Sequence, residues 1–355
     1  CPTCGGNGFE HVEMQFLSDV YLRCPDCDGK RFRSEVLEVT LDGESVADVL
    51  EMTVHKALTF FAQHAPVLTG LKPLADVGLD YLRLGQPVPT LSGGEAQRLK
   101  LAGHLAQAGE GAAGKSSSRL SPLPSLFLFD EPTTGLHFDD VAKLLRAFRQ
   151  LIAAGHSLIV IEHNLDVIGA ADWIVDLGPE GGDAGGEIVA IGKPDDIKAH
   201  PSSHTGKALR EYEAALTGQT MADVPAREPL ALHPRLTPLA AQAIRVHNAR
   251  EHNLKSIDVE IPRNVFTVVT GVSGSGKSTL AFDIVFAEGQ RRYLESLNAY
   301  ARQFVQPATK PDVDAIFGIP PTVAIEQRTS RGGRKSTVAT LTEIYHFLRL
   351  LFVKL

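Results

Sequence analysis

Cysteine is missing from almost the whole of this 355-residue sequence. All four cysteines lie among the first 27 residues, at Cys1, Cys4, Cys24 and Cys27. A secreted domain held together by disulfides would use its cysteines throughout the fold. The concentration at one end therefore favours a local metal site in a reducing compartment.

Long apolar runs and a strong net charge are also missing. No run approaches the roughly 18–20 residues needed to span a bilayer, and no signal-peptide pattern is visible. The net charge of −7 gives no global sign of a nucleic-acid binder, so any such surface would be local. We therefore expect a cytoplasmic protein without a membrane partner. Because the chain opens directly on a predicted metal ligand, we also expect a piece of a longer polypeptide.

The four cysteines form two C-x₂-C pairs, "CPTC" and "CPDC", with nineteen residues (5–23) between them. Paired thiolates at this separation can close a tetrahedron around one ion, which predicts a structural Cys₄ zinc site. Disulfides or an unoccupied relic of such a site are the alternatives.

The stretch "GVSGSGKST" (271–279) matches the phosphate-loop pattern G-x-x-x-x-G-K-[ST]. Glycines let backbone N–H groups surround phosphate oxygens, and the following helix adds its dipole. A chance glycine turn is the alternative, but "FTVVT" before the loop and "STLAFDIVF" after it supply the required strand and helix. The predicted nucleotide-binding residues are Gly271, Ser273, Gly274, Ser275, Gly276, Lys277, Ser278 and Thr279, with Lys277 on the β- and γ-phosphates and Ser278 on Mg²⁺.

Three further segments carry polar residues typical of such a site. "LFLFDE" ends an apolar strand with Asp130, which suits Mg²⁺, and Glu131, which could act as general base. His163 follows the apolar strand "SLIVIE", and "LSGGEAQ" (91–97) offers a serine, glycine amides and a helix start to an anion. Taken singly, these segments also fit a solubilising strand end, a structural histidine and a capped helix.

The spacing predicts an α/β fold. A helix over 138–153 lies between the strand "LFLF" and the buried strand 157–162, which implies a parallel sheet covered on both faces. We also expect a strand at 36–41, a helix over about 277–288 and a last helix over 340–352.

Together the motifs resemble the heads of ABC-type ATPases, in which one head's phosphate loop faces another head's "LSGGE" signature. The resemblance adds an antiparallel β subdomain to the parallel sheet and implies ATP and Mg²⁺ as cofactors. It assigns residues to four roles: the signature (Ser92, Gly93, Gly94, Gln97), Mg²⁺ (Asp130), the general base (Glu131) and the switch histidine (His163). It also makes Gln327, in "AIEQRTS", the glutamine that senses Mg²⁺ or water.

A Cys₄ module followed by an ABC signature resembles the UvrA family, the damage-sensing ATPases of bacterial nucleotide excision repair. The similarity is strongest in the segments 13–32, 75–102, 130–140 and 161–190. It implies ATP hydrolysis coupled to binding of distorted double-stranded DNA with lesions, within the SOS response. It further implies zinc, handover to the excinuclease B subunit, and a homodimer in the parent protein.

The order of the motifs is reversed relative to one ATPase head, since the carboxylate strand precedes the phosphate loop. Residues 1 to about 215 resemble the end of the family's C-terminal half, and residues 243–355 resemble the beginning of its N-terminal half. We therefore expect a tandem or fused parent whose junction this chain spans. The two halves either dock as one permuted head or rely on other segments; we predict the docking, because separate halves would leave sheet edges unpaired.

These interpretations divide the chain into five parts: a zinc module (1–35), a helical signature region (36–107), an ATPase half (108–195), a linker (196–242) and a second ATPase half (243–355).

Two functions besides repair stay open, namely an ABC ATPase driving transport or drug resistance, and a DNA-binding zinc module with an incomplete ATPase. Suspected DNA contacts are Lys30, Arg31, Arg98 and Lys100.

Overall fold

The structure is a computed structural model that describes residues 1–12, 20–112, 124–134, 136–217, 243–296, 310–325 and 337–353. The chain forms two compact units, one of Cys1–Gly109 with Arg328–Leu355 and the other of Glu110–Gln327. The predicted glutamine Gln327 and the part of the predicted linker after residue 217 lie outside the described residues.

The first unit is mainly helical, with two short antiparallel pairs, β1 (Phe9–Val12) with β2 (Val20–Arg23) and β3 (Thr40–Leu41) with β4 (Glu44–Ser45). Its helices are α1 (Ser34–Leu37), α2 (Val46–Glu51), α3 (Val54–Phe60), α4 (Ala65–Asp76) and the start of α5 (Gly93–Ala112), followed late in the chain by α11 (Val338–Leu341) and α12 (Ile344–Val353). Ser45 and Asp48 cap α2 reciprocally, which fixes where this helix begins.

The second unit is built on a six-stranded sheet with the order β13-β5-β6-β11-β7-β8. The strands are β5 (Leu126–Asp130), β6 (Ser157–Ile161), β7 (Trp173–Gly178), β8 (Glu187–Gly192), β11 (Phe266–Gly271) and β13 (Thr322–Ile325). All neighbours are parallel except β7 and β8. The strands β5, β6 and β11 are continuous apolar runs, as expected for strands buried on both faces.

The position of β11 confirms the predicted docking of the two halves. This strand comes from the later half of the chain, yet it lies between β6 and β7 from the earlier half. Val269 is in register with Ile161 on one side and with Val175 on the other. One sheet therefore contains both the strand that enters the phosphate loop and the strand that ends in the carboxylates.

Both faces of this sheet are covered. On one face α6 (Phe138–Ala153) inserts the ring of Phe148 between Phe129 and Phe266, with ring centroids 4.7 and 5.4 Å apart. On the other face a π-helix (Thr279–Phe286) buries apolar side chains in a core that it shares with a three-stranded antiparallel sheet. That sheet has the order β10 (Ile257–Pro262), β9 (Ala243–Ala249), β12 (Ala315–Phe317).

The remaining helices of the second unit are short or lie where the sequence suggested loops. They are α7 (Leu165–Gly169), α8 (Pro194–Ala199), α9 (His204–Thr217) and α10 (Ala287–Ser296). The helices α8 and α9 thus occupy much of the first part of the predicted linker (196–242), where the prolines had suggested irregular structure. Pro194 starts α8 at a position that tolerates proline, and α9 buries Leu209 and Ala214.

Two other local expectations differ from the structure. The strand predicted at 36–41 is wrong in its first part: Val36 and Leu37 belong to α1, and the strand β3 contains Thr40 and Leu41 alone. The alternation of this segment does not mark a buried sheet face, since α1 buries none of its side chains. The last helix, predicted as one element, is split into α11 and α12 at Glu343, which has a positive φ of 60°. Among the residues that the structure describes, no helix combines the length and apolar character needed to cross a membrane.

Candidate nucleotide site and cysteine cluster

The phosphate loop turns at positions that only glycine accommodates. Gly271 and Gly276 have φ values of 134° and 99°, in the region that L side chains avoid. A Cβ atom at Gly271 would also overlap the carbonyl oxygen of Leu177 in the neighbouring strand. The backbone of the loop is therefore fixed by the sheet edge from which it leaves.

Two further loops, which the sequence did not single out, contact the phosphate loop: one joins β7 to β8 and contains Gly182, and the other joins β9 to β10 and contains Asn253. The N–H group of Gly182 donates to the carbonyl oxygen of Gly274 at 3.0 Å. The side-chain amide of Asn253 donates to the same oxygen at 2.8 Å and to the carbonyl oxygen of Gly182 at 3.1 Å. These contacts hold the loop open, in the shape of a cradle.

Lys277 lies across this cradle. Its side chain is 8% exposed, and Nζ donates to the carbonyl oxygens of Gly271 and Val272 at 3.1 and 2.9 Å. Burial lowers the pKa of Lys277, while the carboxylates of Glu131 and Asp130 oppose that effect. The ammonium group and the two carboxylates therefore interact electrostatically at the same end of the sheet, which suits a site for phosphate and a metal ion.

The serines of the loop differ in their surroundings. Ser275 is completely buried, and within the described part of the chain its Oγ has no hydrogen-bond partner. Ser278 is exposed at the start of the π-helix. An orphaned hydroxyl inside a glycine cradle fits an anion with several oxygen atoms.

Glu131 and His163 face each other at the carboxyl edge of the sheet. Glu131 follows β5 with a positive φ of 43°, and its N–H group donates to the carbonyl oxygen of Ile161 at 2.9 Å. Its Oε1 lies 3.7 Å from Nε2 of His163, and both side chains are 49% exposed. An acid and an imidazole at this separation can share the handling of one proton.

Glu162, which the sequence analysis passed over, lies beside this pair. It is 2% exposed and accepts three backbone hydrogen bonds, from Thr133, His163 and Asn164. The one signal in the sequence was an acidic residue directly after a buried apolar strand.

The predicted signature residues lie in the first unit, at the start of α5. The N–H group of Ser92 donates to Glu95 at 2.7 Å, and the N–H group of Glu95 donates back to Ser92 Oγ at 3.3 Å. The hydroxyl of Tyr81 donates to the same carboxylate at 2.7 Å; burial and this bond raise the pKa of Tyr81 to about 12. Gly93 and Gly94 start the helix, whereas Gln97 is buried at 2% exposure.

The four cysteines meet in the first unit. Their sulfur atoms all lie within 4.8 Å of one another, with Sγ–Sγ distances of 3.9 Å for Cys1 and Cys24 and 3.7 Å for Cys4 and Cys27. A tetrahedron with metal–sulfur bonds of about 2.3 Å has edges of roughly 3.8 Å, whereas a disulfide needs about 2.05 Å. The cluster therefore fits a tetrahedral metal ion and excludes disulfide pairing in this geometry.

The environment of Cys4 favours its thiolate form. Burial alone would raise the pKa of Cys4, but N–H donors from Gly8, at 3.2 Å, and from Gly6 outweigh it and lower the pKa. Such N–H···S bonds around a ligating cysteine support metal binding.

Two of the four suspected DNA contacts are engaged inside the protein. Arg98 is 6% exposed and donates to the carbonyl oxygen of Gly94 at 3.3 Å, so little of its side chain is available at the surface, where the contact with DNA was expected. Arg31 is partly buried and donates to the carbonyl oxygen of Gly85 at 2.6 Å. Both arginines serve local structure.

Comparison with known proteins finds relatives from different bacteria that share the name UvrABC system protein A. The UvrABC system protein A of Chlamydia trachomatis is 39% identical over 358 residues, which cover 100% of this chain and 18% of that protein. The protein of the same name from Aquifex aeolicus is 52% identical over 212 residues, 60% of this chain and 22% of the relative. The chain thus spans about a fifth of the length of these curated relatives. No family model matches the chain.

A solved structure is similar as well. The crystal structure of UvrA2 from Deinococcus radiodurans has 43% sequence identity and a TM-score of 0.53, over 59% of this chain and 24% of that one.

The strand order decides the class of protein. Two neighbours of β6 leave the same edge of the sheet, β11 into a phosphate loop and β5 into a pair of carboxylates. With an "LSGGE" helix in the same chain, this arrangement is that of the ABC-type ATPases. Within that class, the match over the whole chain to UvrABC system protein A means that the chain belongs to the UvrA family.

Proposed function

We propose that this chain binds and hydrolyses ATP as part of a bacterial nucleotide excision repair protein that recognises damaged DNA. The observation that carries the proposal is the single sheet edge on which Lys277, Glu131 and His163 come together, in a chain 39% identical throughout to UvrABC system protein A. A cytoplasmic location follows from that role.

The nucleotide would be held by its phosphates. The N–H groups of residues 273–279 and Lys277 would contact phosphate oxygens, and Ser278 and Asp130 would hold Mg²⁺, with Gln327 as a further ligand or water sensor. The metal ion would neutralise charge on the phosphates. Glu131 would accept the proton of the attacking water, and His163, 3.7 Å away, would orient that carboxylate and contact the γ-phosphate.

The signature residues would complete a site on a facing ATPase head, as in the sandwiches of this class. Ser92, Gly93 and Gly94 are placed at a helix start where an anion is favoured. Gln97 is part of the same predicted signature, although its side chain is buried. This role implies a homodimer of the parent protein or a second head in the same polypeptide.

Zinc is the metal we propose for the cysteine cluster, because four thiolates in a tetrahedron suit it best. Iron would also accept four thiolates, so the metal content of the purified protein decides between them. The zinc module would brace a surface against distorted double-stranded DNA, read mainly through its phosphates and shape. Handover to the excinuclease B subunit completes the proposed role.

Turnover of ATP with and without lesion-bearing duplex DNA tests the proposal, with Glu131→Gln as the matched variant. We expect DNA to change the ATPase rate of the wild type, and Glu131→Gln to bind ATP but turn it over at least about a hundredfold more slowly. Turnover that ignores DNA would favour a transport-type ATPase. No turnover at all, together with DNA binding, would favour a zinc-dependent DNA-binding module.

A further inference from the structure

Glu162 is a buried residue, and both of its carboxylate oxygens accept hydrogen bonds from backbone N–H groups. Its Oε1 accepts the N–H group of Thr133 at 2.8 Å, and its Oε2 accepts those of His163 and Asn164 at 2.9 and 3.1 Å. The side chain is 2% exposed. Charge-assisted bonds of this kind are stronger than those between neutral groups.

The three amides belong to two different loops. Thr133 lies two residues after Glu131, in the loop that follows β5, whereas His163 and Asn164 follow β6. The side chains of Glu131 and His163 meet across these loops at 3.7 Å. One carboxylate therefore ties together the backbone segments that carry the two predicted proton-handling groups.

We propose that Glu162 is a positioning residue, which sets the distance and orientation between Glu131 and His163 for ATP hydrolysis. This inference rests on the proposed function. Its two oxygens already accept three backbone N–H groups, so the inferred role is to hold the two loops and not to contact the nucleotide. Glu162 therefore affects the rate of hydrolysis. Phosphate binding depends on the loop around Lys277, which Asn253 and Gly182 hold in place through separate hydrogen bonds.

Glutamine is the sharpest probe of this role because it keeps the size of the side chain. Replacing either oxygen of Glu162 by NH₂ turns an acceptor into a donor that faces at least one of the three N–H groups. The loops must then shift, and small displacements of reacting groups cost up to about a hundredfold in rate. Glu162→Asp keeps the charge and both acceptors but shortens the reach, so it should be affected less.

Asp172→Asn is the matched control. The Asp172 carboxylate also accepts a backbone N–H group of the same sheet, that of Phe266 at 2.9 Å, and it pairs with Arg149. It precedes β7, at the opposite edge of the sheet from Glu131 and His163. Asparagine removes the negative charge and with it the ion pair to Arg149, which should lower the thermal midpoint without changing the rate of hydrolysis.

The experiment measures kcat for ATP, the Kd for ATP, and amide hydrogen exchange in peptides that cover 131–134 and 162–165. For Glu162→Gln we expect kcat to fall at least about tenfold, Kd to stay within about twofold, and both peptides to exchange faster. Glu162→Asp should show a smaller loss, and Asp172→Asn a wild-type kcat.

A wild-type kcat or unchanged exchange in Glu162→Gln would overturn the inference, as would a loss confined to Kd. If Glu162→Gln does not fold, Glu162→Asp decides: a reduced kcat at constant Kd supports the inference, and a wild-type kcat overturns it. If the wild-type protein does not hydrolyse ATP, that result contradicts the proposed function instead. The exchange of the two peptides in Glu162→Gln would then still report whether the carboxylate ties the loops together.

Discussion

At the scale of single residues, the surroundings of Lys277 indicate which kind of ligand the phosphate loop binds. Among the described residues, its buried amine donates to two neutral carbonyl oxygens, while Glu131 and Asp130 act on it through their negative charge. A triphosphate would give the ammonium group charged acceptors within the cradle. Such bonds contribute about 1.5–3 kcal/mol each, more than the carbonyls they would replace.

Replacing Lys277 by alanine should therefore weaken ATP binding by roughly tenfold to a hundredfold, which is the range that those energies give. Lys207→Ala provides the control, because Lys207 is an exposed lysine of the same unit that pairs with Glu211 on the same helix, α9. Isothermal titration with ATP and Mg²⁺ measures both. Equal affinities for the two variants would remove Lys277 from the site.

Alanine substitutions at Gly271 and Gly155 distinguish two costs of a side chain, namely the strain of a positive φ and the steric overlap with neighbouring backbone. Both have a positive φ, but only at Gly271 would a Cβ atom overlap backbone, since nothing lies within 4 Å of the position at Gly155. We expect Gly155→Ala to cost about 1–2 kcal/mol, and Gly271→Ala to cost about 2 kcal/mol more and to lose ATP binding. Urea unfolding checks the difference, and equal midpoints would contradict the crowding.

How far single residues could be predicted from the sequence depends on whether their role is local. Lys277 follows from a contiguous pattern, and so do the four cysteines, whose sulfur atoms come together as expected. The role of Glu162 depends on Thr133, which lies 29 residues away in another loop and meets it only when β5 and β6 pair. Spacing along the chain carries no signal of that contact.

At the scale of elements, a buried polar group joins α9 to the strand that enters the phosphate loop. Asp176 in β7 accepts hydrogen bonds from the hydroxyls of Ser203, at 2.6 Å, and Thr205, at 2.9 Å, at the start of α9. The Thr205 hydroxyl also lies 3.4 Å from that of Thr270 in β11. The sequence suggested a linker here because prolines interrupt the pattern, and only the sheet shows what α9 packs on.

The burial of Asp176 predicts a particular pH dependence. Burial raises its pKa despite the two hydroxyl donors, so the folded state holds its proton more tightly than the unfolded state. The resulting stabilisation is present below the ordinary pKa of about 3.9 and is lost as the pH rises through the higher folded value. The stability of the wild type relative to Asp176→Asn should therefore decrease from about pH 3.5 to 7.

The pKa of Asp314 is shifted in the direction opposite to that of Asp176, so we expect the opposite dependence of stability on pH. Hydrogen bonds from Asn248 and Arg250 lower the pKa of Asp314, so its stabilisation is present above the ordinary pKa and is lost as the pH falls. The stability of the wild type relative to Asp314→Asn should therefore increase over the same pH range. Thermal midpoints across the series measure both trends, and parallel slopes for the two variants would contradict the assignment.

At the scale of the whole molecule, the cysteine cluster and the phosphate loop belong to different compact units. The four cysteines cluster in the first unit, whereas the phosphate loop leaves the buried sheet of the second. We expect Cys24→Ser to lose the single bound metal ion, measured by plasma emission, while its Kd for ATP stays within about twofold of wild type. Loss of ATP binding together with the metal would mean that the cluster supports both units.

Each unit also combines residues from both sides of the segment 218–242. The first unit includes Arg328–Leu355, and the second places β11 between β6 and β7. Cleavage at a protease site inserted in 218–242 should therefore leave two pieces that elute together, because separation would expose both edges of β11 and its partners. Val268→Asp is the control: Val268 is fully buried in β11, and an unpaired carboxylate there should release the later piece. If the cleaved wild-type pieces elute separately at micromolar concentration, the shared sheet is not stable by itself, and β11 needs another strand partner.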